Sequence, residues 1–371
     1  MIVAVLAILF FIAYGILILY FNHKWKNIPL QKDENLFPGL KFSIIIPARN
    51  EEKTIARLLS ALQSQEYPAE NFEIIVVNDD SDDATAAIAS SFDGVTLLHK
   101  TGEILNSHKK RALELGIAQA KYEYIVTTDA DCMPPPTWLR SLSIRFAQTH
   151  SVMVVAPVVI DCNSSSVQLF QAIDFMVLQG ITGAAIEGRL MSMCNGANLA
   201  YKKSVFEEVN GFKGIDAIAS GDDMLLLHKV WQKYPTGISY LKSTRAIVST
   251  AAMNSWGAFF QQRVRWASKS LVYEDKRITM VLLLVYLFNL SFFALAILGF
   301  AEYRNWVVLV GLLVLKTIIE FPFFHSVAVF FNKQWSLKYF PLFQPMHIAY
   351  TVISGLFSQF GKYNWKGRMV R

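Results

Sequence analysis

Long apolar segments constrain the architecture of this chain more than any other feature of its sequence. Residues 1–21 and 278–301 contain no charged side chain. Each segment is long enough to cross the apolar core of a bilayer, which takes about 20 apolar residues. Residues 306–331 are also apolar, although Lys316 and Glu320 interrupt them. The sequence therefore predicts a membrane protein and excludes a purely soluble or a disordered chain.

The overall composition gives no sign of nucleic acid as a partner. Apolar residues make up 53% of the 371 residues, and the net charge of +6 comes from 35 basic and 29 acidic residues. The basic residues form no stripe of the kind that follows a nucleic-acid backbone. Three cysteines without Cys-x-x-Cys spacing exclude a disulfide framework and a zinc site, and they are typical of a reduced, cytosolic compartment. They are Cys132, Cys162 and Cys194.

The N-terminal segment, residues 1–22, is predicted to be an uncleaved transmembrane anchor. It lacks the basic start and the small-residue cleavage site of a signal peptide. Lys24, Lys26 and Lys32 follow it, so the positive-inside rule places the next residues in the cytoplasm. We therefore predict a multi-pass protein of the plasma (inner) membrane whose central domain lies in the cytosol.

The C-terminal third is predicted to return to the membrane. Residues 251–277 mix aromatic and basic side chains, which is typical of a helix lying in the interface. Residues 278–371 are predicted to hold two spans, a third apolar segment and a basic tail. Pro341 and Pro345 are expected to shorten the continuous helix of that third segment to Met346–Phe360, about 15 residues. We therefore predict a re-entrant or interfacial segment, with the tail on the cytosolic side.

Residues 41–250 alternate short β-branched runs with helical periodicity, which predicts an α/β domain with a mostly parallel sheet flanked by helices. The predicted strands are Phe42–Ile46, Glu73–Val77, Thr96–Leu98 and Tyr124–Thr128, and the predicted helices lie near residues 55–62, 83–91 and 108–120. Asn50 is the expected N-cap of the first helix. Ligands of such sheets bind beyond the carboxyl ends of the strands, so the residues that follow each strand are the candidate site.

Acidic residues follow the second and the fourth predicted strand. Asp79 comes after the second, and Asp129 and Asp131 come after the fourth with one residue between them. Two carboxylates at that spacing can hold a hard divalent cation, Mg²⁺ or Mn²⁺, which takes oxygen ligands and commonly keeps nucleotide phosphates in its shell. The alternative is that such acids form turns and helix caps, which is the interpretation we favour for Asp82 and Asp83.

The sequence lacks the motifs of other enzymes that bind or transfer phosphate groups. No Gly-x-Gly-x-x-Gly follows the first strand and no Gly-Lys-Ser/Thr loop occurs, so neither a dinucleotide enzyme nor a P-loop enzyme is indicated. An aspartyl-phosphate hydrolase would normally place its Asp-x-Asp after the first strand, with a threonine two residues on. Here that position is Met133.

Five motifs occur in order along the central part of the chain. They are Phe42-Ser-Ile-Ile-Ile-Pro-Ala-Arg-Asn-Glu51, Val77-Asn-Asp-Asp-Ser-Asp-Asp-Ala-Thr85, Thr128-Asp-Ala-Asp131, Ser220-Gly-Asp-Asp223 and Gln262-Arg-Val-Arg-Trp266. Together they resemble the family 2 glycosyltransferases over residues 41–270. The last motif is typical of membrane-embedded members such as cellulose, chitin and hyaluronan synthases and ceramide glucosyltransferase. The resemblance implies a GT-A fold, and the apolar segments predict transmembrane helices at both ends of it.

The resemblance also implies a role for each matching residue. Binding of the nucleotide sugar is implied for Pro47, Ala48, Arg49, Glu51, Asp79, Lys109, Asp129, Ala130 and Arg265. The metal ligands would be Asp131 and Asp129, the general base Asp223, and the acceptor or gating residues Asp222, Gln262 and Trp266. A solvated helix face is the alternative for Lys109, and an interfacial anchor is the alternative for Trp266. The sequence departs from the family pattern at three positions: Asn78 replaces a common Asp, Asp80 a common Gly and Asp222 a common Glu.

The implied reaction is an inverting, metal-dependent transfer from a nucleotide diphosphate sugar, with UDP as the expected nucleotide. Three classes of function stay open: transfer to a membrane-associated lipid, processive synthesis and secretion of a polysaccharide, and a catalytically inactive binding module. The intact set of acids argues against the third. We favour the lipid acceptor because three or four helices are few for a secretion pore. The ending Trp365-Lys-Gly-Arg368 resembles ceramide glucosyltransferase-like proteins and favours the same choice.

Overall fold

The structure is a computed structural model that describes residues 2–32, 36–100, 107–162, 165–190, 193–216, 218, 221–268, 275–359, 363–365 and 368–370. The chain forms two compact units. The helical unit comprises residues 1–28, 162–190 and 252–361, and the sheet unit comprises residues 29–161, 191–251 and 362–371.

The helices and strands are named in chain order. The helices are α1 (Ile2–Asn27), α2 (Ile55–Gln63), α3 (Thr85–Ser90), α4 (His108–Gln119), α5 (Trp138–Thr149), α6 (Ser166–Glu187), α7 (Lys203–Glu208), α8 (Asp222–Lys233), α9 (Trp256–Ala267), α10 (Lys276–Gly299), α11 (Arg304–Phe330) and α12 (Phe340–Phe357). The strands are β1 (Phe42–Ala48), β2 (Phe72–Asn78), β3 (Val95–His99), β4 (Tyr124–Thr127), β5 (Cys132–Met133), β6 (Met153–Val155), β7 (Val158–Asp161), β8 (Leu199–Lys202), β9 (Ile238–Tyr240), β10 (Val248–Ala251), β11 (Tyr363–Trp365) and β12 (Arg368–Val370).

The main sheet of the sheet unit has seven strands in the order β3-β2-β1-β4-β8-β6-β9. β1 pairs in parallel with β2 and β4, and β2 pairs in parallel with β3. β8 runs antiparallel to β4 and β6, whereas β6 and β9 are parallel. Smaller sheets have the orders β5-β10-β7 and β11-β12. The prediction of a mostly parallel sheet is confirmed, and the four predicted strands are present as β1 to β4.

The central strand β1 explains why the sheet forms here. Its isoleucines at positions 44, 45 and 46 are fully buried, as expected for a parallel strand that is covered on both faces. The register pairs Ala48 with Asn78 and Ile45 with Thr127. The carboxyl ends of β1, β2 and β4 therefore reach the same edge of the sheet.

The helix after β1 begins later than predicted. The N-cap of α2 is Thr54, so the prediction that Asn50 caps this helix is wrong. Asn50 has a φ of 53°, a left-handed conformation that asparagine tolerates. Its Oδ1 accepts a hydrogen bond from the backbone N–H of Asp82 at 2.9 Å. Asn50 therefore closes a loop instead of starting a helix. The helix buries four apolar side chains at helical spacing: Ile55, Leu58, Leu59 and Leu62.

Four helices among the described residues are long and apolar enough to cross a membrane, namely α1, α6, α10 and α11. The first and the last two correspond to the predicted spans. α6 was not predicted, because Asp174 and several glutamine and glycine residues dilute its apolar pattern. Most of α6 is buried, although its buried residues include Gln171, Asp174 and Gln179. Residues 162–190 thus belong to the helical unit, although they interrupt the range 41–250.

The last long helix, α12, is longer than predicted. It begins at Phe340 and runs through Pro345, so the prediction that the prolines limit it to Met346–Phe360 is wrong. Pro341 lies in the first turn, where backbone N–H groups have no partner within the helix, and Pro345 removes one further hydrogen bond. With 18 residues, α12 is about 27 Å long, slightly less than the roughly 30 Å of an apolar bilayer core. Its re-entrant or interfacial placement stays a prediction, and Lys362, Lys366 and Arg371 of the basic tail lie outside the described residues.

Candidate active site

The carboxyl ends of β1, β2 and β4 carry most candidate residues of the sheet unit. Asp79 follows β2 directly, and Asp129 comes two residues after β4. Two small residues at this edge, Ala48 and Ala130, are buried at 1% and 2% exposure. Their methyl side chains therefore pack against neighbouring residues, and only their backbone groups can take part in hydrogen bonding. Pro47 precedes them inside β1.

Asp79 is buried and held by both its backbone and its carboxylate. Its N–H donates to the carbonyl oxygen of Ala48 at 2.8 Å. Nη1 of Arg49 donates to the carbonyl oxygens of Asp79 at 2.8 Å and Asp80 at 2.6 Å. Nζ of Lys100 lies 2.7 Å from Oδ1 of Asp79. Arg49 therefore positions the turn after β2, whereas Lys100, which sequence reasoning missed, balances the charge of Asp79.

The turn after β2 contains two of the departures from the family pattern. Asp80 has a φ of 51°, which is the region that favours glycine but that aspartate enters more readily than most residues. Oδ1 of Asn78 accepts a hydrogen bond from the N–H of Ser81 at 3.2 Å, a bond that an aspartate could also accept. Both substitutions are therefore compatible with the same turn.

The loop after β1 is joined to the start of α3. The carboxylate of Asp83 accepts hydrogen bonds from the N–H of Thr85 at 3.0 Å and from the N–H of Glu52 at 3.1 Å. Desolvation acts in the opposite direction, but the hydrogen bonds from Thr85 hold the pKa of Asp83 below its ordinary value. The N–H of Glu51 donates to Oγ1 of Thr85 at 2.7 Å. Asp83 thus acts as a turn residue, as predicted, whereas the N-cap of α3 is Ala84.

The start of α4 supplies two basic residues that sequence reasoning did not assign to the site. Nδ1 of His108 lies 3.6 Å from Oδ1 of Asp79. Lys110 is buried, and its Nζ donates to the carbonyl oxygens of Ile215 at 2.6 Å and Ile218 at 2.7 Å. Lys110 therefore holds the segment that precedes α8. The basic run at residues 108–111 was the signal available in the sequence.

Lys109, between these two residues, joins acids from two parts of the chain. Its Nζ lies 2.7 Å from Oδ1 of Asp129 and 3.3 Å from Oδ2 of Asp222. Burial opposes the charged form of the lysine, but the two carboxylates outweigh burial and hold the pKa of Lys109 well above its ordinary value. A purely solvated helix face, the alternative for this residue, is therefore wrong.

Asp222 and Asp223 form the first turn of α8, after Gly221 with a φ of 82°. Carboxylates in this position are stabilised by the helix dipole. Oδ2 of Asp223 accepts a hydrogen bond from the N–H of Gly196 at 3.1 Å, and its Oδ1 accepts one from the N–H of Met224 at 2.7 Å. A Cβ atom at Gly196 would lie only 3.2 Å from Oδ2 of Asp222. The absence of a side chain there keeps room around both carboxylates.

Asn198, directly before β8, has a structural role. Its side chain is fully buried. Oδ1 accepts a hydrogen bond from Nε1 of Trp138 at 2.8 Å, and Nδ2 donates to the carbonyl oxygens of Pro157 and Ala246, both at 2.8 Å. Its polar atoms are thus used within the protein. Asn198 supports the strands below the site and contributes no free group to a ligand.

Asp129, Asp131 and Cys132 can bring their ligand atoms within 4.8 Å of one another. Burial, and then the two carboxylates, raise the pKa of the Cys132 thiol, so that it is neutral at neutral pH. The two carboxylates are left as hard oxygen donors, which suit Mg²⁺ or Mn²⁺ better than a soft metal. The donor set therefore fits the divalent ion expected from the sequence.

A second group of possible ligands consists of Asp79, Asp80 and His108. Here the Lys100 ammonium lies 2.7 Å from Asp79 and 3.1 Å from Asp80. A bound cation would have to compete with this positive charge at close range. The same competition applies at Asp129, which has the Lys109 ammonium at 2.7 Å, so a nearby positive charge does not separate the two groups. Asp129 and Asp131 stay the metal candidates because of their spacing after β4.

The remaining candidates, Gln262, Arg265 and Trp266, lie on α9 in the helical unit. Oε1 of Gln262 accepts a hydrogen bond from Nη1 of Arg263 at 3.0 Å. The ring of Trp266 lies 5.9 Å from that of Phe175, between centroids. The candidates thus form two sets, one around Asp79, Lys109, Asp129 and Asp223 in the sheet unit and one on α9.

We expect Lys109→Met to lower the free energy of unfolding by about 1–3 kcal/mol, because two carboxylates lose their shared cation. The pKa of Lys109 is raised in the folded state. The charged lysine therefore stabilises the fold fully at any pH below its unfolded pKa of about 10.4, and this stabilisation is lost only at higher pH. The loss should therefore be constant between about pH 6 and pH 9. Thermal unfolding in nanodiscs measures it. Lys121→Met, which removes an exposed partner of Glu73, is the control and should change stability little.

The sheet order and the acids at its carboxyl edge define a GT-A fold. A solved structure with this fold, the mannosyltransferase PcManGT from Pyrobaculum calidifontis in complex with GDP-Man and Mn²⁺, superimposes with a TM-score of 0.61. The match covers 93% of this chain and 98% of the other at 17% sequence identity. This likeness concerns the fold alone.

Residues 43–209 match the family model "Glycosyl transferase family 2". The chain is similar to this family over these residues, as its motifs predicted. It is 28% identical to the probable glycosyltransferase YdaM of Bacillus subtilis over 65% of this chain and 58% of that protein. It is 26% identical to a poly-beta-1,6-N-acetyl-D-glucosamine synthase of Staphylococcus epidermidis over 88% of this chain and 77% of that protein. The chain thus spans little more than half the length of the first of these relatives.

Proposed function

We propose that the protein is an inverting, metal-dependent glycosyltransferase that moves a sugar from a nucleotide diphosphate sugar to a membrane-associated lipid. The observation that carries this proposal is the cluster at the carboxyl edge of the sheet. There Lys109 joins Asp129 to Asp222, and Asp223 is held by the N–H of Gly196. In this arrangement Asp129 is available for a metal and a nucleotide, and Asp223 is available as a base.

The donor nucleotide is proposed to bind along the ends of β1 and β2. Arg49 and Asp79 form the rigid floor of this region through the contacts at 2.8 Å and 2.7 Å described above. Pro47, Ala48 and Glu51 would line the base and ribose pocket, with UDP as the expected nucleotide. Lys109 and Ala130 would lie beside the phosphates, and Arg265 would balance the charge of the leaving diphosphate.

Asp131 and Asp129 would hold the divalent ion, Mg²⁺ or Mn²⁺. When bound, this ion would neutralise charge on the departing diphosphate. Support for this assignment comes from the two carboxylates, which are hard oxygen donors. The Mn²⁺ in the mannosyltransferase of the same fold is consistent with it.

Asp223 is proposed to be the general base. Its carboxylate would take the proton of the acceptor hydroxyl while the hydroxyl oxygen attacks the anomeric carbon and the nucleoside diphosphate leaves. One displacement inverts the anomeric centre, so an α-linked donor gives a β-glycoside. The hydrogen bonds from Gly196 and Met224 fix the orientation of Asp223. Asp222, Gln262 and Trp266 would act on the acceptor or gating side.

The acceptor has two candidates, a lipid and a growing glycan. The described residues include four helices that could cross a membrane. These would give a membrane-bound enzyme access to a lipid acceptor, but they are few for a secretion pore. The second candidate is processive synthesis and secretion of a polysaccharide. It is favoured by the match to the poly-beta-1,6-N-acetyl-D-glucosamine synthase, which covers 88% of this chain. Either acceptor is compatible with a base at Asp223.

The test is a panel of nucleotide sugars incubated with the protein in nanodiscs that contain lipid extract. We expect nucleoside diphosphate release from one donor, dependence on a divalent ion, and a lipid product that carries a single sugar. Products of many sugars would favour the synthase instead. No transfer from any donor to lipid or glycan would contradict the proposed function.

The proposed topology predicts that the basic tail lies in the cytosol. A cysteine is introduced after Arg371 in a background that lacks the three native cysteines. We expect no modification of intact cells by a membrane-impermeant thiol reagent, and modification after lysis, because four basic tail residues outside would oppose the positive-inside bias. Labelling of intact cells would show instead that a further helix, α12 or α6, crosses the membrane.

A further inference from the structure

A buried ion pair connects α6 with α9 inside the helical unit. The side chains of Asp174 on α6 and Arg263 on α9 are each only 3% exposed. Nε and Nη2 of Arg263 donate to Oδ2 of Asp174 at 3.1 Å and 2.7 Å. The hydroxyl of Tyr350 on α12 donates to Oδ1 of Asp174 at 2.6 Å. Both carboxylate oxygens are therefore engaged, and three helices meet at one charge.

The same arginine organises the neighbouring motif residues. Nη1 of Arg263 donates to Oε1 of Gln262 at 3.0 Å. Its guanidinium carbon lies 4.2 Å from the ring centroid of Trp266 and 4.6 Å from that of Phe259, within cation–π range. A guanidinium is planar and presents its donors in a fixed fork. Asp174 thus fixes the orientation of the Arg263 guanidinium, and the guanidinium in turn contacts Gln262 and Trp266.

A second contact from α6 holds the chain just before α9. Nε2 of Gln171 donates to the carbonyl oxygen of Met253, and the N–H of Met253 donates to Oε1 of Gln171, both at 2.9 Å. Gln171 and Asp174 are three residues apart and so lie on one face of α6. α6 therefore fixes α9 at its approach and at the motif itself, which sets both its position and its rotation.

We propose that Asp174 is a positioning residue for the transfer reaction. Through Arg263 it orients Gln262 and Trp266 for the acceptor. Asp174 itself touches neither donor nor acceptor. This inference rests on the proposed function for its effect on transfer, while its effect on α9 is independent of that function. Burying the Asp174 carboxylate costs desolvation free energy, which its hydrogen bonds offset. The ion pair includes Arg263, which lies within the motif Gln262–Trp266.

The first test is steady-state kinetics of Asp174→Asn, which keeps the shape of the side chain and removes its charge. We expect the kcat for transfer to fall by about 10²-fold, the usual effect of a small misplacement of reacting groups, while the KM for the donor changes less than twofold. Arg263→Lys should show the same pattern, because it keeps the charge but loses the fork. Glu302→Gln removes a carboxylate from an exposed pair in the same unit and should have no effect.

The second test does not depend on activity. Amide hydrogen exchange of residues 256–267 is measured in nanodiscs with the full chain. We expect faster exchange in both variants at position 174 or 263, with no change in β1 or β2. Unchanged exchange, or a loss of donor affinity as large as the loss of transfer, would overturn the proposal. If Asp174→Asn does not fold, Arg263→Lys and Tyr350→Phe provide the same measurement. A wild-type protein without transferase activity would refute the proposed function and leave the exchange result to decide the positioning role.

Discussion

Asp131→Ala should abolish turnover that depends on a divalent ion while the protein stays folded. Asp131 and Asp129 offer the hard donor set at the end of β4, and an alanine removes one of two carboxylates on which the metal would depend. Without the ion, the charge that develops on the leaving diphosphate has lost its principal stabilisation. The measurement is nucleoside diphosphate release during a Mn²⁺ titration, together with Mn²⁺ binding by electron paramagnetic resonance.

The control for this variant is Asp93→Ala. Asp93 is an exposed acid of the sheet unit that lies before β3 and outside the candidate site, so its loss should leave metal binding and turnover unchanged. Thermal unfolding should show similar midpoints for both variants. Full activity of Asp131→Ala in the presence of a chelator would remove the metal role from this residue.

Asp223→Asn should reduce turnover by about 10²–10⁴-fold, the usual contribution of a general base. Asparagine keeps the size of the side chain, and its oxygen can still accept the hydrogen bond from Gly196 or from Met224. It cannot take a proton from an acceptor hydroxyl. Donor affinity, measured by calorimetry with the nucleoside diphosphate and the metal, should be nearly unchanged.

A matched substitution separates chemistry from binding. Asp93→Asn changes the same functional group at an exposed position and should retain full turnover. If the affinity of Asp223→Asn for the donor fell as steeply as its turnover, Asp223 would be a nucleotide ligand. The role of general base would then have to pass to another acid, with Asp222 as the nearest candidate.

The sheet was predictable from sequence because its strands have an unusually simple pattern. Phe42–Ile46 and Glu73–Val77 are short and dominated by β-branched residues, which suits strands buried on both faces. The acids that follow them lie at one edge because parallel strands share a direction. Asp129 and Asp131 were therefore placed correctly relative to β4.

Long-range pairing was not predictable in the same way. Nothing local marks Lys100 as the partner of Asp79, or Lys109 as the link between Asp129 and Asp222, because these contacts form only when the sheet and α4 are assembled. α6 was missed for a different reason. Its polar residues, including Asp174 and Gln171, find partners within the helical unit, so a pattern that looks too polar for a buried helix is satisfied after folding.

The order of the two units along the chain has a consequence for anyone who wants a soluble catalytic fragment. The helical unit is assembled from three separate stretches, and the middle one, residues 162–190, lies between β7 and β8. A fragment trimmed at both ends, such as residues 29–251, would still carry α6 but would lack α1 and α11, whose helices share its unit. The apolar surface of α6 would then face water, which favours aggregation. Trimming the termini is therefore insufficient, and a soluble version would need a short polar linker in place of residues 162–190.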